Sequence, residues 1–145
     1  MKFSTRARYG MRAMLDLAVN GEGKLVLLKD IAARQEISKR YLEHMMTQLR
    51  NGGLVVAERG ASGGYRLSRD PSRIKLDEVF EALEGKMAPV ECVSDASVCE
   101  RSDDCVVRLL WCDVTSAMRG VLEAQTLDDL RRRWETMSSG TSRQE

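Results

Sequence analysis

The sequence contains one histidine, two prolines and only 5% aromatic residues. Its apolar stretches are short, and runs such as VVRLLW at residues 106–111 are broken by a charge, which excludes a membrane-spanning helix. The first ten residues, MKFSTRARYG, lack the apolar core of a secretion signal. A phosphate-binding loop, a dinucleotide-binding fingerprint and a nucleophile–base pair are also missing. These absences predict a cytoplasmic protein that is not an enzyme.

The charged residues are divided unevenly between the two halves of the chain, although the net charge is only +1. Residues 1–75 contain 15 Lys and Arg against 7 Asp and Glu, whereas residues 76–145 contain 8 against 15. A strongly basic half indicates a region that meets a polyanion. Chance segregation of surface charge gives the same balance, so the motifs must decide.

The first half has the pattern of a winged helix-turn-helix. Apolar residues at helical spacing predict a helix over about residues 5–20 and a short helix around LKDIAARQ. A third helix is predicted to begin at the N-cap Ser38 and to end at NGG. The stretch LVVAERGASGGYRLSRD then alternates around a glycine turn, which predicts a β-hairpin.

In this fold the third helix can enter the major groove of DNA, and the hairpin tip can approach the minor groove. The face of the third helix opposite its apolar stripe offers Lys39, Arg40, Glu43, His44, Thr47 and Asn51. Arg59 and the adjacent Gly60 are the candidates for the minor groove. Protein-binding modules share the same pattern, so the basic charge of this half is what favours DNA. His44 is predicted to face the groove rather than to act as a catalytic base.

All four cysteines lie within 21 residues, with six, five and six residues between them. In a reducing compartment such a group indicates a metal site or redox-active thiols rather than disulfides. The spacing lacks the close C-x(2–4)-C pairs of structural zinc sites, whereas soft thiolates suit an iron–sulfur cluster. Spacing alone leaves a metal site and a thiol sensor open. A zinc-stabilised interaction module that does not bind DNA is a separate alternative for the function of the whole chain.

The second half is predicted to contain a helix near residues 76–84, a long helix with nearly heptad apolar spacing and a last helix. We therefore predict a mainly α fold with a small β-hairpin wing. A winged helix-turn-helix DNA-binding domain occupies residues 1–85, and a cysteine cluster-binding loop occupies 86–104. A long dimerisation helix and the C-terminal helix follow over 105–137, and 138–145 form a disordered tail.

Several stretches together resemble the IscR/NsrR-type winged-helix regulators of the Rrf-two family. They are RYGMRAMLDLA, ISKRYLEHMMTQLRNGGLV, RGASGGYRLSRD, LDEVFEALEG and the cysteine pattern that runs through LLWCDV to TLDDL. The resemblance covers residues 1 to about 135 and implies a homodimer, joined by the long helix, that binds palindromic double-stranded operators. The DNA contacts that it implies fall on Ser38, Tyr41, Glu43, His44 and Arg59.

The same resemblance implies an iron–sulfur cluster held by Cys92, Cys99 and Cys105. A two-iron cluster is favoured by likeness to the IscR branch, and a four-iron cluster is the alternative. The fourth ligand is open, because the IscR branch has a histidine where this chain has Arg108. The NsrR branch takes an acidic side chain from the partner's first helix, where this chain has Arg8.

Cys112 is the remaining thiol that could complete the ligand set. It lies seven residues after Cys105, or about 10 Å of helical rise, so packing in the dimer interface is an equal alternative. We thus predict a transcription regulator whose operator binding is modulated by an iron–sulfur cluster that senses cluster supply, redox state or nitric oxide. The alternative is a metal-free regulator of the same family that is controlled by thiols or by a partner protein.

Overall fold

The computed structural model describes residues 2–141 and contains, within them, seven α-helices and one antiparallel hairpin. The elements are α1 (Thr5–Asn20), α2 (Leu28–Gln35), α3 (Lys39–Asn51), β1 (Val55–Glu58), β2 (Gly64–Leu67), α4 (Leu76–Glu84), α5 (Glu91–Ser94), α6 (Val106–Glu123) and α7 (Leu127–Thr141). Short 3₁₀ turns lie at Pro71–Arg73 and Ala96–Val98. The predicted mainly α fold with a hairpin wing is confirmed.

Side-chain caps fix where α1 and α3 begin. The hydroxyl of Ser4 accepts a hydrogen bond from the backbone N–H of Ala7, and the hydroxyl of Ser38 accepts one from Tyr41, each at 3.2 Å. Each cap satisfies one of the N–H groups that a helix start leaves without a partner. The predicted apolar stripe of α3 is fully buried, and its members are Leu42, Met45, Met46 and Leu49.

The buried side of α1 differs in phase from the predicted stripe. Met14 and Ala18 are buried as predicted, but Met11 and Leu15 are only partly buried. The small residues Ala7, Gly10 and Ala13 share the buried side. They let α4 approach closely, since a Cβ built on Gly10 would lie 2.4 Å from a methyl carbon of Leu83. Close packing of helices therefore decides which side of α1 is buried.

A buried carboxylate ties α1 to α2. The side chain of Asp16 is 0% exposed and accepts hydrogen bonds from Arg34 Nε at 2.9 Å, Arg34 Nη2 at 2.8 Å and Gln35 Nε2 at 2.9 Å. The hydrogen bond from Arg34 to Asp16 raises the pKa of that guanidinium above its ordinary value. This pair fixes the end of α2 and hence the turn that leads into α3.

The last helix, α7, packs against the N-terminal helices of the chain. Leu127 is fully buried in the same core as α1 and α3, and its N–H donates to the carbonyl of Ile74 at 2.8 Å. The N–H of Leu76 donates in turn to the carbonyl of Gln125 at 3.0 Å. We refer to residues 2–85 together with α7 as the winged-helix body.

The predicted disordered tail over residues 138–145 is wrong for its first part, because α7 continues to Thr141. Hydroxyls of this last turn donate to carbonyls four residues earlier: Ser139 donates to that of Glu135 at 2.9 Å, and Thr141 donates to that of Met137 at 3.1 Å. Residues 142–145 lie outside the described part of the chain. Among the described residues, no helix combines the length and the apolar character that a bilayer span requires.

Candidate nucleic-acid interface and cysteine segment

Three of the predicted DNA-contacting residues, Arg40, Glu43 and His44, are exposed on α3. They lie at i, i+3 and i+4, so they share one side of the helix, opposite the buried stripe. Ser38 is also exposed, but its hydroxyl already serves as the N-cap of α3. The structure therefore brings these residues together at the start and along one side of α3.

Tyr41 is placed differently from its neighbours on α3. Its hydroxyl lies 2.8 Å from the hydroxyl of Thr5 at the start of α1, and its ring is only partly exposed. The ring also meets the ring of Tyr9 edge to face, with centroids 6.3 Å apart at 83°. Tyr41 thus joins the first turn of α3 to α1.

Two arginines of α1 surround Tyr9, and the sequence analysis did not single out this cluster. The guanidinium carbons of Arg8 and Arg12 lie 5.6 and 5.5 Å from the ring centroid, within the range of a cation–π contact. Arg12 also donates to Gln35 at the end of α2, through Nη2 to the carbonyl at 2.6 Å and through Nε to Oε1 at 3.1 Å. The available signal was the placement of arginines on both sides of Tyr9 in TRARYGMR.

The wing is held to the body by its own backbone. In the hairpin Val55 pairs with Leu67 and Glu58 pairs with Gly64, which leaves residues 59–63 as the tip. Tyr65 exchanges two backbone hydrogen bonds with Val26, each 2.8 Å long, before α2 begins. The position next to it must be glycine, because a Cβ on Gly64 would lie 2.6 Å from the carbonyl oxygen of Val26.

The candidate minor-groove residues lie at the exposed tip of this wing. Arg59 and Gly60 are both exposed, and Gly60 has φ +109°, a left-handed backbone conformation that favours glycine. The tip closes through a hydrogen bond from the N–H of Gly63 to the carbonyl of Gly60 at 3.0 Å. The wing therefore carries an exposed cation on a short, braced turn.

The cysteine segment, residues 86–105, joins α4 to α6. The structure differs from the predicted loop by forming α5 and a 3₁₀ turn within it. Polar side chains stabilise these turns locally: Asp95 accepts from the N–H of Ser97 at 2.9 Å and from its hydroxyl at 2.6 Å. Those hydrogen bonds lower the pKa of Asp95 below its ordinary value. Short polar turns of this kind leave no hydrophobic period to predict them.

The four thiols occupy distinct places, and all are free. Cys92 lies on α5 and is partly buried, whereas Cys99 is exposed after the 3₁₀ turn. Cys105 is the N-cap of α6, where its sulfur accepts from the N–H of Arg108 at 3.4 Å. Cys112 is partly buried on α6 itself.

Arg108, on α6, links that helix to the cysteine segment. Its Nε donates to the backbone carbonyl of Cys92 at 2.8 Å, which ties α5 to the first turn of α6. The guanidinium therefore stands where the IscR branch has its histidine, and it supplies a cation and a hydrogen-bond donor there rather than a ligand.

The thiols of this segment are chemically suited to an iron–sulfur cluster. Within residues 2–141, however, no three Cys, His, Asp or Glu side chains are placed so that they could ligate a metal ion. Cys92, Cys99 and Cys105 are therefore not brought together as a ligand set. They are nonetheless three soft donors on one short segment, as such a cluster requires. Ser102 lies between the last two; it is 6% exposed and its buried hydroxyl has no hydrogen-bond partner. An unpaired buried hydroxyl costs about 1–3 kcal/mol, and a sulfur acceptor would satisfy it.

The sequence matches the Rrf2 (Rrf-two) family, described as an iron-dependent transcriptional regulator, over residues 3–133. Protein rrf2 of Nitratidesulfovibrio vulgaris is 42% identical over 91% of this chain and 88% of that protein. The HTH-type transcriptional regulator IscR of Escherichia coli is 38% identical over 90% of this chain and 80% of that protein.

Two solved structures are similar over nearly the whole chain. IscR of T. potens has a TM-score of 0.78 and 37% identity, covering 94% of this chain and 90% of that one. CymR, the global cysteine regulator of B. subtilis, has a TM-score of 0.75 and 38% identity, covering 92% of this chain and 98% of that one. The two structural similarities are nearly equal, so they favour neither IscR nor CymR as the nearer relative in function.

Proposed function

Because the chain belongs to the Rrf2 family of transcriptional regulators, which are not enzymes, we propose that it binds a palindromic DNA operator as a homodimer and that an iron–sulfur cluster modulates this binding. The family establishes DNA-binding transcription regulation. The observation that carries the finer proposal is the position of three thiols on the one segment that joins α4 to α6. We place the protein in the cytoplasm, where its operator is accessible and its thiols stay reduced.

The DNA-reading side consists of α3 and the wing. With α3 in the major groove, Arg40 would contact guanine or phosphate, and the carboxylate of Glu43 would accept from the amino group of cytosine. Because a contact to a base edge reads sequence, the effect of Glu43 would be on site choice. Arg59, with Gly60 beside it, would enter the negative minor groove.

The dimer is supported by the exposed apolar side of α6. Its large exposed residues are Val106, Val107, Leu109, Leu110 and Val121, with Val106 77% exposed. Val121 also lines an apolar cavity of about 410 Å³ between α1, α4 and α6. A contiguous apolar surface of this kind marks an interface, and a second copy of α6 supplies a matching surface.

Cys92, Cys99 and Cys105 would hold the cluster, and the hydroxyl of Ser102 would donate to one of its sulfur atoms. When bound, the cluster supplies a redox-active centre that is sensitive to cluster supply, oxidants and nitric oxide. Ligation by three cysteines would fix the cysteine segment between α4, which packs on α1 and α3, and α6. The thiol of Cys112, on α6, remains the candidate for a fourth protein ligand, since the side chain of Arg108 is engaged with Cys92.

Thiol control without metal is the second candidate function. It is favoured by the likeness to CymR, which includes a structure of Staphylococcus aureus CymR in an oxidized form at 34% identity and a TM-score of 0.70. Exposure of Cys99 is consistent with it, because an exposed thiol is open to oxidants.

Anaerobic purification separates these functions. The cluster proposal expects a coloured protein with iron and sulfide in equal amounts, and loss of both in Cys92→Ala, Cys99→Ala and Cys105→Ala variants. Binding is then measured on the palindromic duplex that the wild-type protein selects from a random pool, with cluster-loaded and cluster-free protein. Colourless protein, whose affinity changes only on thiol oxidation, would favour the second candidate. Equal affinity of loaded and cluster-free protein would refute cluster control.

A further inference from the structure

Three consecutive residues at the N-terminus, Phe3, Ser4 and Thr5, contact two different helices of the winged-helix body. The ring of Phe3 meets the ring of Phe80 on α4 edge to face, with centroids 5.6 Å apart at 85°. The hydroxyl of Thr5 pairs with that of Tyr41 on α3 at 2.8 Å. We refer to residues 3–5 as the N-terminal clasp.

The middle residue of the clasp reaches the end of α4. The hydroxyl of Ser4 donates to the carboxylate of Glu84, the last residue of α4, while it accepts from the N–H of Ala7 as the cap of α1. Gly85 ends α4 with φ +81°, and the cysteine segment begins directly after it. The carboxylate of Glu84 is therefore one residue from the segment that carries the thiols.

The last residue of the clasp reaches the start of the DNA-reading helix. Tyr41 is in the first turn of α3, immediately after Arg40 and two residues before Glu43. Its hydroxyl and its ring are both engaged with α1, through Thr5 and Tyr9. A movement of the start of α1 therefore changes the setting of the first turn of α3.

We propose that the N-terminal clasp positions the DNA-reading helix and transmits to it the state of the cysteine segment. Contacts run from Glu84 to Ser4, along the backbone to Thr5, and from Thr5 to Tyr41. Thr5, Ser4 and Glu84 are positioning residues, and Tyr41 acts here by orienting α3. The proposal has two halves. The transmission half, that the clasp passes on the state of the cysteine segment, rests on the proposed function. The positioning half, that the clasp orients α3, requires only that the protein binds DNA through α3.

The positioning half is tested by a double-mutant cycle on the selected palindromic duplex. Thr5→Val and Tyr41→Phe each remove one hydroxyl, and each is expected to weaken binding about three- to tenfold, the size of one net hydrogen bond. The double variant is expected to bind no more weakly than the weaker single variant, because both remove the same contact. Thr5→Ser keeps the hydroxyl and is expected to restore wild-type affinity.

The control for this cycle is Thr136→Val on α7, whose hydroxyl donates to its own helix at the carbonyl of Arg132. It is expected to leave DNA affinity unchanged. Circular dichroism melts verify that every variant is folded at the assay temperature. Additive losses in the double variant, or no rescue by Thr5→Ser, would overturn the positioning role.

The transmission half is tested with Glu84→Ala, which leaves the cap of α1 intact. The measured quantity is the ratio of operator affinities between cluster-loaded and cluster-free protein, and it is expected to move toward one. Glu81→Ala, an exposed acidic residue three positions earlier on α4, is the matched control and is expected to keep the wild-type ratio. A wild-type ratio retained in Glu84→Ala would overturn transmission through the clasp.

Failure of the proposed function and failure of the clasp proposal give different results. If the wild-type protein had equal operator affinities with and without the cluster, cluster control would be refuted, and transmission with it. The coupling between Thr5 and Tyr41 would still be measurable. A wild-type ratio far from one that Glu84→Ala leaves unchanged would refute only transmission through the clasp, and the signal would then have to pass through the packing of α4 on α3.

Discussion

The winged-helix body and the cysteine segment are stabilised in different ways. In the body the candidate DNA-contacting residues are carried by elements with caps, a buried ion pair and a continuous core. In the segment, short turns are held by local polar contacts, such as Asp95 with Ser97, and its buried Ser102 hydroxyl has no partner. A DNA-binding site has higher affinity when its residues are in place before DNA binds. A ligand-sensing site needs the ligand to complete its structure, because ligand binding then changes the conformation.

The largest expected effect of this difference is on stability. Arg34→Met leaves the buried carboxylate of Asp16 with Gln35 as its remaining side-chain donor, and it is expected to lower the free energy of unfolding by about 2 kcal/mol, because a buried carboxylate loses a charged donor whose side chain is itself 40% exposed. Cys99→Ser in the exposed part of the cysteine segment is expected to change it by less than about 0.5 kcal/mol in cluster-free protein. Urea unfolding measures both.

The control for the ion pair is Arg133→Met, an exposed arginine on α7, which is expected to be nearly neutral. If Cys99→Ser lowered the free energy of unfolding as much as Arg34→Met does, the segment would contribute as much to global folding as the body does. The winged-helix body and the cysteine segment would then not differ in how they are stabilised.

The next effect concerns DNA binding. Arg59→Ala at the wing tip is expected to weaken binding to the selected duplex about tenfold and to reduce its dependence on salt, because one cation no longer contacts the duplex. This loss of affinity is expected to be the same with and without the cluster, since the wing is held by the backbone hydrogen bonds between Val26 and Tyr65 rather than by the cysteine segment. Fluorescence anisotropy at several salt concentrations measures it.

Arg119→Ala on α6, in the acidic half, is the matched control and is expected to leave both the affinity and the salt slope unchanged. A factor for Arg59→Ala that depends strongly on cluster loading would mean that the wing belongs to the switch and not to a fixed reading surface.

Helix α3, the proposed DNA-reading helix, was predictable from the sequence because its pattern is dense and local. Ser38 as the cap, four buried apolar residues and NGG as the end all lie within one stretch, and each was found where predicted. The phase of α1 was not predictable, since it depends on the approach of Leu83 to Gly10, two residues far apart in the chain. The pairing of Tyr41 with Thr5 was missed for the same reason.

The cysteine segment was predictable only in its chemistry. Three thiols in the segment, with Cys112 soon after it, indicate soft ligands or reactive groups, and that inference needs no geometry. Its short helix, its 3₁₀ turn and the hydrogen bond from Arg108 to Cys92 come from single polar contacts, which leave no period in the sequence. The helical residues at 138–141 were missed similarly, because the stretch SSGT has a composition typical of a tail and carries no apolar period that could predict the continuation of α7.

A smaller effect is expected inside the segment. Ser102→Ala removes a buried hydroxyl that would donate to a cluster sulfur, and fewer such donors lower the reduction potential of a cluster. We expect a lower potential at unchanged iron content. Ser97→Ala is the control, because its hydroxyl is already paired with Asp95. An unchanged potential in Ser102→Ala, measured by anaerobic dye titration, would show that this hydroxyl does not face the cluster.

The smallest effect compares one motif in both regions. Asp70 in the body and Asp95 in the segment each accept from a serine two residues later, at 2.9 Å from its N–H and 2.6 Å from its hydroxyl. These bonds lower the pKa of both carboxyls below the ordinary 3.8. A lowered pKa contributes stability above pH 3.8 that is lost as the pH falls through the folded-state value.

Only the body motif should contribute to global unfolding, because opening of the segment is a local event. On acidification from pH 6 to pH 3 the free energy of unfolding of Asp70→Asn should therefore fall less than that of the wild-type protein, while Asp95→Asn should follow the wild type. Urea unfolding at the two pH values measures this difference. If the free energy of unfolding of both variants fell equally little, the segment would unfold together with the body as one cooperative unit.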